Sequence, residues 1–224
     1  MFLNLKPGDR VAIEPGYPCR RCEVCLAVHH NLCPEMVFAA TPPHDRTLTG
    51  YWGTPIKPLA VAVHMARQAE ITPGASVVVM GAGPVGLLCA AVSKAFGASK
   101  VVGVDIVPSK LELTRTFAAT HTYLSHRVPA EDNAKAIIKQ CDIGKSADVV
   151  VDASGAEPSI QASLHVGGMD KADVAVSIMS LCQKEVTAKG SFRYGAGGFK
   201  LAIELVESGS VDVKKLVTPV VPFG

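Results

Sequence analysis

The chain has 224 residues, of which 48% are hydrophobic and 5% aromatic, so it can bury a substantial core and is not expected to be disordered. Lysine and arginine together number 22 and aspartate and glutamate 20, with no basic stripe, which argues against a nucleic-acid or anionic-membrane partner. Seven cysteines without a recognisable secretory leader predict a cytoplasmic protein whose clustered thiols hold metal rather than form disulfides.

The composition changes along the chain and suggests four segments. Residues 1–55 are rich in Pro, Gly and Cys and predict a loop-rich β region without a long helix. Residues 56–74 are interpreted as a connecting helix or linker. In residues 75–210, short β-branched runs alternate with amphipathic stretches, which is typical of a parallel sheet with crossover helices. In residues 211–224 the chain is expected to run back towards the first segment.

The alternation within the third segment predicts an α/β fold with a doubly wound parallel sheet. The predicted strands are 76–80, 100–105, 122–125 and 148–153, and the predicted helices are 85–96, 108–118, 131–141, 158–165 and 198–207. Two further candidate strands are 174–179 and 186–192, of which the second has the better pattern.

Four cysteines in the loop-rich segment have the spacing of a metal site, C-x2-C-x2-C-x7-C. Four thiolates suit tetrahedral zinc, and because protein would fill every coordination position, the predicted role of the zinc is structural. The same spacing leaves an iron–sulfur cluster open, since ferredoxins also use C-x2-C-x2-C and a Cys-Pro, although their last spacing differs. The predicted ligands are Cys19, Cys22, Cys25 and Cys33.

A glycine-rich turn between the first predicted strand and helix of the third segment has the form G-x-G-x-x-G. Gly81 allows the sharp turn, Gly83 lets a pyrophosphate approach the backbone, and Gly86 lets helix and strand pack closely. An acidic residue, Asp105, ends the next strand, where a carboxylate binds the ribose hydroxyls of NAD and repels the 2′-phosphate of NADP. The pattern predicts a Rossmann domain that binds NAD, with Lys110 beside the adenosine. A packing turn with a surface aspartate is the simpler alternative, and a methyltransferase is another, although it does not usually need the third glycine.

The chain resembles the polyol branch of the zinc-containing medium-chain dehydrogenases. This branch includes the sorbitol, xylitol and L-arabinitol 4-dehydrogenases, and the resemblance is strongest to its fungal members. The blocks that carry the resemblance are LKPGDRVAIEPG at 5–16, NLCP at 31–34, FAATPP at 38–43, PLAVAVH at 58–64 and GSFRY at 190–194. The resemblance implies a partial GroES-like catalytic domain in residues 1–55 ahead of the Rossmann domain. It also implies NAD- and zinc-dependent oxidation of a polyol to a ketose.

The resemblance also assigns site residues that the bare sequence would leave as ordinary packing or surface charge. It implies that Phe38, Thr41, Arg193 and Tyr194 line the substrate pocket. The implied cofactor-binding residues are Gly81, Gly83, Pro84, Val85, Gly86, Asp105, Lys110, Phe192 and Arg193. Family members are commonly tetramers, so a homo-oligomer is possible.

The same resemblance predicts that no catalytic zinc site is intact, because the family's cysteine and Gly-His-Glu ligands lie upstream of the phrase at 5–16. A further ligand of the family is a glutamate, and Lys57 stands in its place within IKPL at 56–59. Segments that the family has after Trp52 and after His165 are missing, as is the C-terminal return, and the histidines show no ligand spacing. A catalytically inactive NAD- and zinc-binding remnant, or a truncated gene model, is therefore the alternative function.

Overall fold

The computed structural model describes residue 6 and residues 14–39, 56–163 and 187–216. Two short antiparallel strands, β1 (Gly16–Tyr17) and β2 (Val37–Phe38), pair Gly16 with Phe38 and Tyr17 with Val37. Between them the chain forms a single helical turn, α1 (Glu23–Leu26), and a 3₁₀ turn at His30–Leu32. We call this region, residues 14–39, the cysteine lobe. Because it has so little regular structure, it buries little apolar surface and depends on other bonds for its stability.

A four-stranded parallel sheet forms the centre of the molecule. Its strands lie in the order β5-β4-β3-β6, so the chain winds outwards from β3 in one direction and then crosses to the other side of β3. The strands are β3 (Ser76–Met80), β4 (Lys100–Asp105), β5 (His121–Leu124) and β6 (Val149–Asp152).

The helices cover both faces of this sheet. They are α2 (Ile56–Gln68), α3 (Pro84–Ala95), α4 (Pro108–Phe117), α5 (Ala130–Gln140), α6 (Glu157–Ser163) and α7 (Gly198–Glu207), followed by a 3₁₀ turn at Val213–Leu216. None of the described helices is both long and apolar enough to cross a bilayer.

Burial on both faces explains why the strands are continuous runs of valine rather than alternating patterns. Val77 and Val79 face the core formed with α2, α3 and α7, whereas Val78 and Met80 face the core formed with α5. The α2 helix packs against both α3 and α7, and its residues Leu59, Ala60, Ala62, Val63 and Ala66 are inaccessible to solvent. It is therefore part of the central core and not a free linker.

Most predicted elements agree with the structure. The strands at 76–80 and 100–105 and the helix at 198–207 are confirmed at both ends, and the other helices and strands predicted within 75–165 begin within one residue of the observed ones. The candidate strand at 174–179 lies outside the described residues.

The predicted strand at 186–192 is wrong over 187–192, which has no strand pairing. Polar contacts to other segments hold this stretch instead: Lys189 pairs with Glu70, and the carbonyl of Phe192 accepts a hydrogen bond from Asn31. Gly190 interrupts the β-branched run and leaves it without the side chain that a strand would pack.

Close packing of β4 on α4 gives a stability test. A Cβ on Gly103 would lie 2.4 Å from Cγ2 of Thr114, a buried residue of α4. Gly103→Ala is therefore expected to lower the free energy of unfolding by about 1–3 kcal/mol in urea denaturation. Adding Thr114→Ser should restore much of the loss, because serine lacks Cγ2 but keeps the hydroxyl that donates to the carbonyl of Lys110.

Gly190→Ala is the matched control, since no atom lies within 4 Å of the Cβ it would add. A double variant no more stable than Gly103→Ala alone would contradict this account of the packing.

Candidate functional site

The four cysteines of the cysteine lobe converge on one point. Their sulfur atoms all lie within 4.8 Å of one another, and two of the pairs, Cys19 with Cys25 and Cys22 with Cys33, are 3.9 Å apart. A tetrahedral zinc with Zn–S bonds of about 2.3 Å separates its sulfurs by about 3.8 Å. The geometry therefore fits a four-thiolate zinc site with no open position.

Backbone N–H groups prepare these thiols for metal binding. The amide of Cys22 donates to the sulfur of Cys19, and the amide of Cys19 donates to the sulfur of Cys33. Bonds from the amides of Arg21 and Cys22 lower the pKa of the Cys19 thiol to about 6, whereas burial raises the pKa of Cys25 to about 12. A bound metal would deprotonate Cys25, because the thiolate and not the thiol is the ligand.

The glycine-rich turn has the geometry that its three glycines were predicted to supply. Gly81 has a φ of 97°, in the left-handed region, and a Cβ on Gly86 would lie 1.8 Å from the carbonyl oxygen of Gly81. Around Gly83 the space is open, because no atom lies within 4 Å of where a Cβ would stand. Gly83 is the N-cap of α3 and Pro84 follows it, so free backbone N–H groups of the helix face this space, which suits a pyrophosphate.

Asp105 lies at the end of β4 beside this turn. Its Oδ2 accepts a hydrogen bond from the amide of Ala82 at 2.8 Å, and its Oδ1 accepts one from the amide of Val107 at 2.9 Å. The carboxylate is only 9% exposed, and the ammonium of Lys110 lies 4.0 Å from it. A fixed carboxylate at the first turn can accept bonds from two ribose hydroxyls, so the site fits NAD.

The loop after β6 forms the opposite wall of the crevice. Asp152 accepts hydrogen bonds from both the amide and the hydroxyl of Ser154, and the backbone of Ser154 lies 3.0 Å from where a Cβ on Gly81 would be. This is the point at which the strand order reverses on either side of β3, where open α/β sheets bind their ligands.

A group of aromatic and cationic side chains lies between the cysteine lobe and α2. The guanidinium of Arg193 stands 5.0 Å from the ring centre of Phe38 and 4.6 Å from that of Phe192. The ammonium of Lys57, at the start of α2, is 4.8 Å from the same Phe38 ring. Two cations on one aromatic ring make this face of the protein positive.

A cavity of about 420 Å³ lies on the side of Tyr194 towards the cysteine lobe. It is lined by side chains of both charges, including Glu14, Arg20, His30 and Lys200, and by the hydroxyl-bearing Tyr194. Tyr194 is 8% exposed, and its hydroxyl lies against the backbone of Gly16 without a further hydrogen-bond partner among the described residues. Burial raises the pKa of Tyr194 to about 12, so the hydroxyl stays protonated at neutral pH. The cavity is of the size that a small polar ligand needs.

The predicted site residues fall into three places. The cysteines form the metal cluster, the glycines and Asp105 form the crevice at the sheet edge, and Phe38, Phe192, Arg193 and Tyr194 meet beside α2. Val85 is partly exposed at the first turn of α3, and Thr41 lies outside the described residues.

Sequence reasoning missed Asn31, His64 and Glu14, all of which take part in these groups. His64 packs against Gly195. Nothing local marks Asn31, because its contacts are to residues more than 30 positions away.

Over the described ranges, the four cysteines are the one group of three or more metal-binding side chains close enough to share an ion. The side chain of Lys57, which the resemblance predicts in place of the family's glutamate ligand, is exposed and lies over the ring of Phe38. The described residues therefore do not fit a second, catalytic zinc.

The comparisons with known protein families and with known proteins agree with one another. The family described as zinc-binding dehydrogenase matches residues 84–208. A probable D-xylulose reductase A of Aspergillus terreus is 52% identical, with 98% of this chain and 70% of that protein covered. D-xylulose reductase A of Aspergillus niger is 50% identical, with 98% of this chain and 69% of that protein covered.

Two solved structures from Escherichia coli show the same arrangement. An oxidoreductase/dehydrogenase of unknown specificity superposes with a TM-score of 0.83 at 29% identity, covering 97% of this chain and 69% of that one. L-idonate 5-dehydrogenase superposes with a TM-score of 0.75 at 28% identity, covering 91% of this chain and 66% of that one.

The cysteine cluster predicts the metal content. Cys25→Ser is expected to abolish zinc binding and to lower the melting temperature, since a four-thiolate site contributes on the order of 10 kcal/mol to folding. Elemental analysis of the purified chain should give one zinc per chain in the wild type. Cys141→Ala, which also removes a buried thiol, is the control and should keep its zinc. Equal zinc in Cys25→Ser and wild type would rule out the cluster as the site.

Alanine substitutions at two glycines of the glycine-rich turn should have different effects, one on cofactor binding and the other on folding. Gly83→Ala should weaken NADH binding tenfold or more while changing stability by less than about 0.5 kcal/mol, because the methyl group enters only the open space. Gly86→Ala should instead destabilise the fold, since its methyl group overlaps the carbonyl of Gly81. NADH fluorescence titration and thermal melting measure the two effects. Unchanged affinity in Gly83→Ala would show that the cofactor lies elsewhere.

Proposed function

Because this chain belongs to the zinc-binding dehydrogenase family, we propose that it is an NAD-dependent polyol dehydrogenase that oxidises xylitol to D-xylulose, or a similar polyol to its ketose. The observation that carries the proposal is the crevice at the sheet edge, where the open space at Gly83 lies beside the buried carboxylate of Asp105. The identity of about half with D-xylulose reductases over nearly the whole chain supports the substrate class.

The cofactor half of the proposal assigns a task to each residue of the crevice. The N-terminus of α3 at Gly83 would bind the pyrophosphate, and Asp105 would accept bonds from the ribose hydroxyls. A carboxylate with two backbone partners cannot turn away from a 2′-phosphate, so NADP would be repelled. Lys110 would lie beside the adenosine. The carboxylate of Asp105, 4.0 Å from the ammonium group of Lys110, would partly balance the positive charge of that group.

The substrate half rests on the group beside α2. Phe38, Tyr194 and Thr41 would line the polyol pocket, while Phe192 and Arg193 would lie between polyol and cofactor. The protonated hydroxyl of Tyr194, which lies against the backbone of Gly16, would still have its own hydrogen to donate to a polyol hydroxyl. Such a bond favours a ligand with many hydroxyl groups over an apolar alcohol.

NAD, when bound, would accept the hydride from the carbon that is oxidised, and the proton of the hydroxyl on that carbon would pass to solvent water. The residues proposed for the crevice and for the group beside α2 would bring the two reactants together and orient them, which is how an enzyme raises the rate of a direct transfer. The zinc held by the cysteine cluster would have no open position, so its contribution would be to fold the lobe and not to activate the alcohol.

The same proposal covers partners and location. We infer a small-molecule polyol or ketose as the ligand, with neither nucleic acid nor membrane as a partner, and a homo-oligomer as a possible assembly. A cytoplasmic location is part of the same proposal, since a cluster of four thiols suited to metal fits a reducing compartment.

The proposal predicts NADH formation when the zinc-loaded chain is mixed with NAD and xylitol, with sorbitol tested alongside. Turnover should fall strongly when NADP replaces NAD, because of Asp105. Tyr194→Phe should raise KM for the polyol about two- to tenfold with less change in kcat, since a neutral hydrogen bond contributes about 0.5–1.5 kcal/mol. Its melting temperature should stay within a few degrees of the wild type, because the lost hydroxyl has no described partner beyond the backbone of Gly16.

Gly83→Ala is the control that keeps the fold and loses the cofactor. A wild-type chain that is folded, binds NADH and oxidises no polyol would overturn the proposal and favour an inactive NAD- and zinc-binding protein. Turnover that is equal with NADP and NAD would overturn the assignment of Asp105.

A further inference from the structure

Asn31 is a buried polar residue of the cysteine lobe with contacts far along the chain. It lies in the 3₁₀ turn just before Cys33 and is 6% exposed. Its side-chain amide donates to the main-chain carbonyl of Phe192 at 3.1 Å. Its main-chain carbonyl accepts a hydrogen bond from the guanidinium of Arg193 at 3.4 Å. A buried amide must pair its donors, so these contacts fix where the segment 192–195 lies.

Arg193 is in a backbone conformation that needs such support. Its φ is 59°, in the left-handed region that residues with a side chain rarely adopt. Unfavourable conformations of this kind persist only where surrounding contacts hold them, and they are concentrated at functional sites. The side chain is fixed as well, because its guanidinium lies over both Phe38 and Phe192.

A second element holds the same segment from the other side. His64, on α2, has its Nε2 3.5 Å from the side-chain nitrogen of Asn31. Its ring lies so close to Gly195 that an added Cβ there would be 2.8 Å from Nδ1. Asn31 and His64 thus confine the backbone on both sides of Tyr194.

We propose that Asn31 is a positioning residue, through which the zinc-stabilised lobe holds Arg193 and Tyr194 in the geometry that binds polyol and cofactor. This inference rests on the proposed function for the ligands themselves, but the restraint on residues 192–195 can be measured without any ligand. The cysteine lobe then has two tasks, since it stabilises the fold and also orders a binding segment that follows it by some 160 residues in sequence.

Trypsin provides the ligand-free test, because it cleaves after Arg193 only when the segment opens. In zinc-loaded protein, Asn31→Ala should speed cleavage between Arg193 and Tyr194 about fivefold or more, as read by mass spectrometry. Glu35→Gln is the matched control, since it removes the exposed ion pair with Arg21 in the same lobe without touching the segment. Zinc content should be one per chain in both variants. Equal cleavage in Asn31→Ala and wild type would overturn the proposal.

The kinetic test is a double-mutant cycle with Arg193→Ala. Asn31→Ala alone should raise KM for the polyol, or the dissociation constant of NADH, about five- to tenfold with less than a twofold change in kcat. In the Arg193→Ala background the same change should have a clearly smaller effect, because one of the two side chains that Asn31 positions has been removed. An equal effect in both backgrounds would mean that Asn31 acts only on general stability. Absence of polyol turnover in every variant, with faster tryptic cleavage in Asn31→Ala, would refute the proposed function and leave the positioning role intact.

Discussion

The contact between the first turn of α3 and the end of β3 is the constraint on which the rest of the molecule depends. Residue 86 can lie against the carbonyl of Gly81 only because it has no side chain, and this approach directs the N-terminus of α3 at the carboxyl edge of the sheet. The open space above Gly83 exists for the same reason. Once β3 and α3 are fixed, β4 and β6 pair on either side of β3, and Asp105 and the loop after Asp152 come to the same edge.

Backbone amides hold the acidic groups at this edge. Asp105 takes bonds from the amides of Ala82 and Val107, and Asp152 takes one from Ser154, so both side chains fix the turns beside them. A carboxylate held by backbone donors is already in position when a ribose arrives, and the binding step then costs less conformational entropy. Under the proposed function, the contacts that make this edge rigid are therefore also the contacts that would select NAD.

The cysteine lobe has almost no hydrophobic core of its own, so another interaction must order it. Its two strands are two residues long each, and a metal held by the four thiolates would replace the missing apolar burial. The lobe packs on α2 and on residues 192–195 through polar contacts of Asn31 and aromatic contacts of Phe38. Distant parts of the chain thus meet beside α2, where Tyr194 and Phe199 join its core.

The sequence by itself determined the parts of this protein that depend on local pattern. Valine runs, helical periodicity, three glycines in a turn and four spaced cysteines each report burial or geometry within a few residues, and the sheet, the crevice and the thiol cluster follow from them. Only the tertiary structure decided that residues 187–192 form no strand, that Lys57 lies over Phe38, and that Asn31 holds Phe192 and Arg193. These contacts join residues that are up to 162 positions apart, and a side chain's distant partner leaves no periodic trace in its own neighbourhood.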